Sequence, residues 1–441
     1  MKSCSACGNE DNRDQARRCD QCGAQLVHVA KAANPSATTI TSNKSVTAPV
    51  AILDRTRRFK LPGIDQLSPE QDLALELPME GSYLLVGGPG TGKSVIALLR
   101  ARRLAVGKQG HFFLAYNRLL IHYCSALAKP VVITAGTWIS WFRALWQAEI
   151  GTSVPDNGKQ FDLDWNAILS LLQTKETVAK SAFLVIDEGQ DMPAAFYQAL
   201  DHFGFSHLFV VADFNQILFP GQSCNRPELR KALQIEAKNV RELRTNHRNS
   251  TSIARLAAHF CALINDPQSP CPDIPEVRDA VIPLLFAYDQ DDPKRDLAYV
   301  ARRIVILADR NPRWLVAVLC PTNATCATYL NALSAANTKL SAKLDCGPAR
   351  IFHFESHDPS GADFTQGGIV VMTAQSCKGL EFDAVVVADL HWYHDNLSNL
   401  QRLYVMVSRA IERVIMLFDV SAHFALDSKM PADPSVLKRV L

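Results

Sequence analysis

An eight-residue stretch between two apolar runs constrains the fold of this chain more than any other feature. Its residues are Gly87, Gly88, Pro89, Gly90, Thr91, Gly92, Lys93 and Ser94. It follows the short, β-inclined run Tyr83–Val86 and precedes Val95–Leu99, which opens a helix-like segment. In this setting glycines let main-chain N–H groups turn towards phosphate oxygens, and the helix N-terminus adds positive potential. The pattern predicts an NTP-binding loop in which Lys93 reaches the β- and γ-phosphates and Ser94 ligates Mg²⁺.

Composition limits the class of protein. A chain of 441 residues predicts two or three domains, and 48% hydrophobic residues are enough for sizeable cores. The net charge of +2 is nearly balanced, so nucleic acid would have to bind through local basic and aromatic patches. No apolar run approaches the roughly 18 residues of a membrane span, and no signal peptide opens the chain. With most of the twelve cysteines scattered, we expect a cytoplasmic protein without a disulfide framework.

Four cysteines near the N-terminus form two matched pairs. They are Cys4, Cys7, Cys19 and Cys22. Each CxxC places two thiolates on one tight turn, and two such turns supply a tetrahedral ligand set for Zn²⁺. So short a segment has almost no core, so the metal would supply most of its folding energy. Residues 1–26 resemble the zinc-ribbon family, whose members dock nucleic acid, dock protein or cap a terminus. The sequence leaves these three roles open.

A change of composition separates these cysteines from the rest of the chain. Residues 27–50 are rich in Ala, Thr, Ser, Asn and Pro without a sustained period, so we expect a flexible linker over 27–60. The linker ends in a basic cluster, which suits a phosphate backbone and a solvated linker end about equally. From Leu61 onwards strands alternate with helices, which predicts an α/β fold with parallel sheets.

Carboxylates follow two further buried strands. Phe183–Ile186 leads into Asp187 and Glu188, and Leu208–Ala212 leads towards Gln216. A carboxylate at a strand tip beside a phosphate loop can hold Mg²⁺, as predicted for Asp187. Glu188 is then placed to orient and deprotonate the attacking water. Gln216 is a candidate for hydrogen bonding to the γ-phosphate and for reporting its loss.

Residues 61–441 resemble superfamily 1 helicases of the UvrD/PcrA/Rep type, because the family's motifs occur in the family's order. In the first half the matches are Gln71 (Q), Gly87–Ser94 (I), Tyr116–Arg118 (Ia), Thr137–Trp138 (Ib), Asp187–Asp191 (II), and Asp213–Gln216 with Phe219 (III). In the second half they are Thr245–Arg248 (IV), Met372–Phe382 (V) and Leu403–Ala410 (VI). The resemblance implies two RecA-like P-loop NTPase domains with parallel sheets, spanning 61–242 and 243–441, preceded by the small Cys₄ zinc ribbon.

The resemblance also implies roles for individual residues. Arg248 and Arg409 would face the γ-phosphate from the second domain as arginine fingers. Further nucleotide contacts would come from Gln71, Gln190, His247 and Glu381. Nucleic-acid contacts would come from Tyr116, Asn117, Trp138, Phe219, Gln375 and Ser376, although strand-end aromatics also suit an ordinary core. His247 replaces the family's tyrosine and Gln375 replaces its histidine, which puts adenine stacking and one nucleic-acid contact in question.

These expectations combine into a leading function and two alternatives. The leading one is a translocase or helicase that uses ATP, Mg²⁺ and a structural Zn²⁺ to move 3′→5′ on single-stranded DNA. Its accessory subdomains would be reduced, because the intervals between the motifs are short. An RNA or RNP remodeller of the same superfamily is the first alternative. The second is an ATP-gated sensor or regulatory subunit that switches a partner protein, such as a nuclease in repair or phage defence.

Overall fold

The computed structural model describes most of the chain after the N-terminal segment. The described residues are 54–57, 59–158, 162–216, 223–265, 271–275, 281–345, 347–353 and 363–440. The four N-terminal cysteines of the expected zinc ribbon and Phe219 lie outside these residues. Within them, no helix combines the length and hydrophobicity needed to cross a membrane.

The first part of the chain builds a six-stranded parallel sheet in the order β3-β2-β4-β5-β1-β6. Its strands are β1 (Tyr83–Gly87), β2 (His111–Ala115), β3 (Ala135–Thr137), β4 (Phe183–Ile186), β5 (Leu208–Ala212) and β6 (Val240–Leu243). Its helices are α1 (Pro69–Leu75), α2 (Lys93–Val106), α3 (Arg118–Ala128), α4 (Trp138–Ile150), α5 (Trp165–Leu172), α6 (Ala194–His202) and α7 (Arg226–Ala232). Because β4 and β5 lie between β1 and β2, their carboxyl ends come beside the glycine-rich loop.

The second part builds a seven-stranded parallel sheet in the order β13-β7-β12-β11-β8-β10-β9. Its strands are β7 (Leu284–Tyr288), β8 (Leu315–Cys320), β9 (Ile351–His353), β10 (Gly368–Thr373), β11 (Phe382–Val387), β12 (Ala410–Asp419) and β13 (Lys438–Val440). Its helices are α8 (Thr251–Ile264), α9 (Leu297–Arg310), α10 (Asn323–Leu340) and α11 (Leu397–Ser408). The α/β class and the two parallel sheets expected from the sequence are therefore present. Strand β6, the last of the first sheet along the chain, ends at Leu243, and α8 begins at Thr251.

Both sheets are covered on both faces, as the nearly continuous apolar strands indicate. Along β1, Leu84 and Val86 face a core completed by α4 to α7, whereas Leu85 faces the core that contains α2 and α3. The Leu85 core continues without interruption into the second sheet and into helices α8 and α11. A third core, with α9 and α10, covers the outer face of the second sheet. One hydrophobic layer thus joins the two halves of the chain.

The end of the expected linker differs from the prediction. Residues 54–57 lie along the second sheet, where Thr56 forms an antiparallel bridge with Gln366. Phe59 packs against the layer shared by both halves. These contacts were not predictable from local sequence, because the partners of the basic cluster lie about 300 residues further along the chain.

One disulfide occurs among the described residues, although no disulfide framework was expected. It joins Cys261, at the end of α8, to Cys271. The next residue, Pro272, lies against Gly88, where an added Cβ would come within 2.7 Å of the proline ring. The described cysteines that form no disulfide are all buried.

Candidate nucleotide-binding site

The glycine-rich loop joins the end of β1 to the first residue of α2. Gly90 and Gly92 have φ values of +79° and +90°, a region that L-residues avoid. Thr91 Oγ1 donates to Gly88 O at 2.8 Å and fixes the curvature of the loop. The loop is therefore a preformed turn at a helix N-terminus, the geometry that binds phosphate.

Lys93 is the first residue of α2 and is buried within the loop. Its Nζ donates to Gly88 O at 2.8 Å and lies 3.7 Å from Asp213 Oδ2. Burial lowers the pKa of Lys93, while the carboxylates of Asp213 and Glu188 oppose that shift. The Lys93 ammonium thus has a main-chain carbonyl and a carboxylate as partners. The phosphate oxygens of a bound triphosphate would take their place.

Ser94 and Asp187 meet as a pair suited to a divalent cation. Ser94 Oγ donates to Asp187 Oδ1 at 3.1 Å. Among the described residues, none donates a hydrogen bond to the buried Oδ2 of Asp187. A hydroxyl beside an unsatisfied carboxylate oxygen is the hard-oxygen donor set that Mg²⁺ takes in phosphate sites. The residues present therefore fit Mg²⁺.

Glu188 lies next to Asp187 in a left-handed conformation, with φ of +53°. Gln190 Nε2 donates to Glu188 Oε2 at 2.7 Å, and Gln190 Oε1 accepts from Asp213 N at 3.0 Å. Gln190 thereby ties the tip of β4 to the tip of β5 and orients the glutamate. A left-handed non-glycine residue at this point is a strain of the kind that collects at functional sites.

The pKa values of the two neighbouring carboxyl groups are shifted in opposite directions. Burial, together with the charge of Glu188, raises the pKa of Asp187 to about 7. Burial also opposes ionisation of Glu188, but Lys378, Arg409 and Lys93 outweigh it and lower the pKa of this group. Glu188 is therefore the ionised member of the pair, as a general base requires.

Two cationic side chains from the second half of the chain contact residues that follow β4 and β5 of the first sheet. Arg409, 2% exposed, donates to Gln216 Oε1, and Gln216 Nε2 donates to Asp213. Lys378, 4% exposed, donates to Asp191 Oδ1 at 2.6 Å and to Gln216 O. Charged groups with this little exposure are stable only when paired, so these contacts fix the two halves against each other.

The segment after β6 covers the loop from the other side. His247 N donates to Gly90 O at 2.8 Å. Arg248 pairs with Glu381, and both line the cleft that Lys93 and Glu188 also line. The cleft has a volume of about 20 Å³, room for about one water molecule. Nucleotide entry therefore requires this segment or the second half of the chain to move away from the loop.

Gln71 lies beside the loop, but its amide already has partners. Its Nε2 donates to Thr91 O at 2.9 Å, and its Oε1 accepts from Ser68 N at 3.0 Å in the cap of α1. In this arrangement Gln71 supports the loop. Reading of adenine by this amide stays a prediction, and it requires the amide to exchange partners.

The predicted nucleic-acid residues do not form one surface. Trp138, the first residue of α4, is 7% exposed and packs on Trp165 and Phe196. Tyr116 is half-buried at the end of β2, and Asn117 caps α3 by accepting from Leu120 N at 2.7 Å.

Gln375 is exposed and Ser376 is half-buried after β10, the only predicted nucleic-acid pair on the second sheet. The predicted nucleic-acid contacts that solvent can reach therefore follow the carboxyl ends of β2 and β10.

Three further residues of the site lie within the matched motifs but had no predicted role of their own. They are Asp191, Asp213 and Lys378, which surround Glu188 and Lys93. The position of Asp213 directly after a buried strand was the available signal. The contacts of Lys378 were not predictable, because its partners belong to the other sheet.

The comparisons with known proteins point to the second half of the chain. Residues 368–417 match the family model of the UvrD-like helicase C-terminal domain. This segment contains Gln375, Lys378, Glu381 and Arg409 and runs from β10 into β12. The glycine-rich loop and the carboxylates after β4 lie outside it.

A solved structure also resembles part of the chain. It is the C-terminal domain of a possible DNA helicase from Lactobacillus plantarum WCFS1, at 16% identity and a TM-score of 0.32, covering 44% of this chain and 97% of that one. No curated protein matches the chain.

Proposed function

We propose that this chain is an ATP hydrolase that moves on single-stranded DNA, a compact superfamily 1 motor of the UvrD type. One observation carries the proposal. Arg409, from the segment that resembles a helicase C-terminal domain, bonds to Gln216 beside Lys93 and Glu188. A phosphate loop, a base and a cation from the opposite sheet thus meet in one cleft, as ATP-driven movement of two domains requires.

The residues divide the chemistry of hydrolysis among them. The loop amides and Lys93 bind the β- and γ-phosphates, and Ser94 and Asp187 hold Mg²⁺. When bound, Mg²⁺ neutralises charge that develops on the phosphate oxygens. Glu188 accepts a proton from the attacking water, while Arg248 and Arg409 stabilise the transferring phosphoryl group.

Hydrolysis is coupled to movement through Gln216. Its amide connects Asp213 of the first half to Arg409 of the second, so loss of the γ-phosphate changes what holds Arg409. Gln375 and Ser376 follow β10, shortly before Lys378 in the chain, and contact the single-stranded DNA. The 3′→5′ direction follows from the family resemblance.

Two substitutions separate nucleotide binding from hydrolysis. Lys93→Ala should abolish turnover and weaken ATP binding, because the phosphates lose their cation. Glu188→Gln should bind ATP like the wild type but hydrolyse it at least about a hundredfold more slowly, because the water loses its base. Equilibrium binding of a fluorescent ATP analogue and phosphate release are the measurements. Near-normal turnover by Glu188→Gln would contradict the assigned roles.

The kind of nucleic acid on which the chain moves is tested by comparing how far DNA and RNA stimulate ATP hydrolysis. Single-stranded DNA should raise the rate of phosphate release more than an RNA homopolymer of equal length. Stimulation by RNA alone would replace the DNA motor by an RNA remodeller. Nucleotide binding without stimulation by either polymer would favour a nucleotide-gated regulatory subunit.

A further inference from the structure

The strap, defined as residues 54–57 and 59–61, joins the two halves of the chain outside the nucleotide cleft. Arg57 N donates to Thr365 O at 2.8 Å, and Gly367 N donates to Arg55 O at 2.8 Å. These bonds add the strap to the segment that leads into β10 of the second sheet. The chain then continues into α1 of the first half, so the strap spans both.

Arg57 anchors the strap beside the arginine–glutamate pair of the cleft. Its side chain is 7% exposed, and Nε donates to Asp383 Oδ2 at 2.9 Å. Asp383 Oδ2 also accepts from Leu315 N at 2.8 Å, which ties β11 to β8. Asp383 follows Glu381 by two residues, and Glu381 pairs with Arg248. By holding Asp383 in place, Arg57 therefore also helps to hold Glu381 where it can pair with Arg248.

Phe59 joins three parts of the molecule through aromatic contacts. Its ring centroid lies 5.1 Å from that of Tyr123, on α3 of the first half, and 6.3 Å from that of Phe364, in the second. Tyr123 and Phe364 also meet edge to face, with centroids 5.1 Å apart. Edge-to-face and stacked aromatic pairs at these distances attract each other beyond the area that they bury.

A cavity of about 160 Å³ lies between the strap and the start of α2. Its walls include Phe59 and Arg57 on one side, and Ser94, Val95 and Glu381 on the side of the cleft. The strap thus closes the outer side of a space that adjoins the nucleotide site. Since the cleft itself has almost no free volume, entry of a nucleotide requires the segment after β6 or the second half of the chain to move, and the strap borders the space into which they can move.

We propose that the strap is an interdomain clasp, in which Arg57 and Phe59 are positioning residues that hold Arg248 and Glu381 of the second half against the phosphate loop. The clasp rests on the proposed function for its kinetic effect.

The kinetic test uses the full chain with Arg57→Ala and Phe59→Ala. The phosphate loop lies in the first half, so the KM for ATP should stay within about twofold of the wild type. The kcat should fall about tenfold, because the arginines of the second half are no longer held in place. Phe59→Tyr keeps the ring and should restore kcat. As a matched control, Arg313→Ala removes an exposed ion pair between the second half and Asp54 of the same strap and should leave both constants unchanged.

Hydrogen exchange without nucleotide separates the clasp from hydrolysis. In Arg57→Ala the amide of Gly367 should exchange at least about tenfold faster, while the amides of β11 stay protected. Should the wild type fail to hydrolyse ATP, the proposed function falls, and this exchange still tests the clasp. Wild-type kcat together with unchanged exchange at Gly367, in both Arg57→Ala and Phe59→Ala, would overturn the clasp.

A milder substitution keeps the test valid if an alanine variant unfolds. Asp383→Asn removes the charge of the ion pair but keeps an oxygen that can accept from Leu315 N and Arg57 Nε, so it should fold and lower kcat in the same direction as Arg57→Ala but by less. In the double variant the two effects should not add, because both remove one interaction. Additive effects would show that Arg57 and Asp383 act separately and would overturn the pairing.

Discussion

Asp191 is a buried residue of the site whose protonation is linked to folding. Burial raises the pKa of Asp191 from 3.8 to about 6, although the ammonium of Lys378 opposes the shift. The folded chain therefore binds this proton more tightly than the unfolded chain. The stabilisation from Asp191 is complete below about pH 4 and is lost as the pH rises through 6.

Replacing Asp191 by asparagine should remove this pH dependence. Asp191→Asn cannot ionise, so the thermal midpoint of the wild type should fall relative to that of the variant between pH 4 and pH 7. The shift corresponds to about 3 kcal/mol in the free energy of unfolding. Circular dichroism melts of both proteins across this range are the measurement. A midpoint difference that does not change with pH would contradict the assignment.

At the same scale, local chemistry made part of the site predictable. Asp187 and Glu188 directly follow β4, and Ser94 lies in the first turn of the helix that follows β1. These residues come together because β1 and β4 are buried parallel strands of one sheet, with their carboxyl ends at the same edge. The contacts of Lys378 with Asp191 and of Arg409 with Gln216 were not predictable, because they depend on how two sheets dock. The burial of Trp138 has the same origin, since α5 and α6 supply the aromatic rings around it.

At the scale of elements, strands and helices followed from apolar runs, but the strap did not. Residues 54–57 carry three charged side chains among four residues and no period, which is typical of a linker. Their order comes from distant partners such as Asp383 and the carbonyl of Thr365. A short segment whose partners lie hundreds of residues away leaves no periodic signal.

The N-terminal segment remains a predicted element with its own test. Freshly purified, reduced protein should contain about one zinc ion per chain, bound by Cys4, Cys7, Cys19 and Cys22. Removing residues 1–50 should abolish zinc binding yet leave the ATPase folded, because the strap stays intact. Elemental analysis and circular dichroism are the measurements. Absence of zinc would refute the ribbon, whereas failure of the shortened chain to fold would refute only its independence.

At the scale of the whole molecule, the structure is two sheets with few additions. Between β3 and β4 the described residues form only the helices α4 and α5, and α4 is packed into the core by Phe142 and Trp146. In UvrD-like enzymes, by the family resemblance, the corresponding intervals carry large accessory subdomains that hold duplex DNA. Under the proposed function, the two sheets supply the elements of a stepping cycle, and we expect little surface for gripping a duplex.

The compact form predicts translocation with little unwinding. In a single-turnover assay on a long tailed duplex, the isolated chain should separate only a short stretch before it dissociates. A partner protein or the N-terminal segment would supply the missing grip. Separation of hundreds of base pairs in one binding event would contradict the compact-motor account.

Steady-state phosphate release with and without single-stranded DNA tests the central claim most directly. The wild type should hydrolyse ATP slowly alone and at least about tenfold faster with a saturating single strand, because the strand orders the second half against Lys93 and Glu188. Glu188→Gln, measured in parallel, should stay inactive under both conditions. A wild-type rate that equals that of Glu188→Gln, or that does not respond to any single strand, would contradict the account of this cleft as a strand-driven motor.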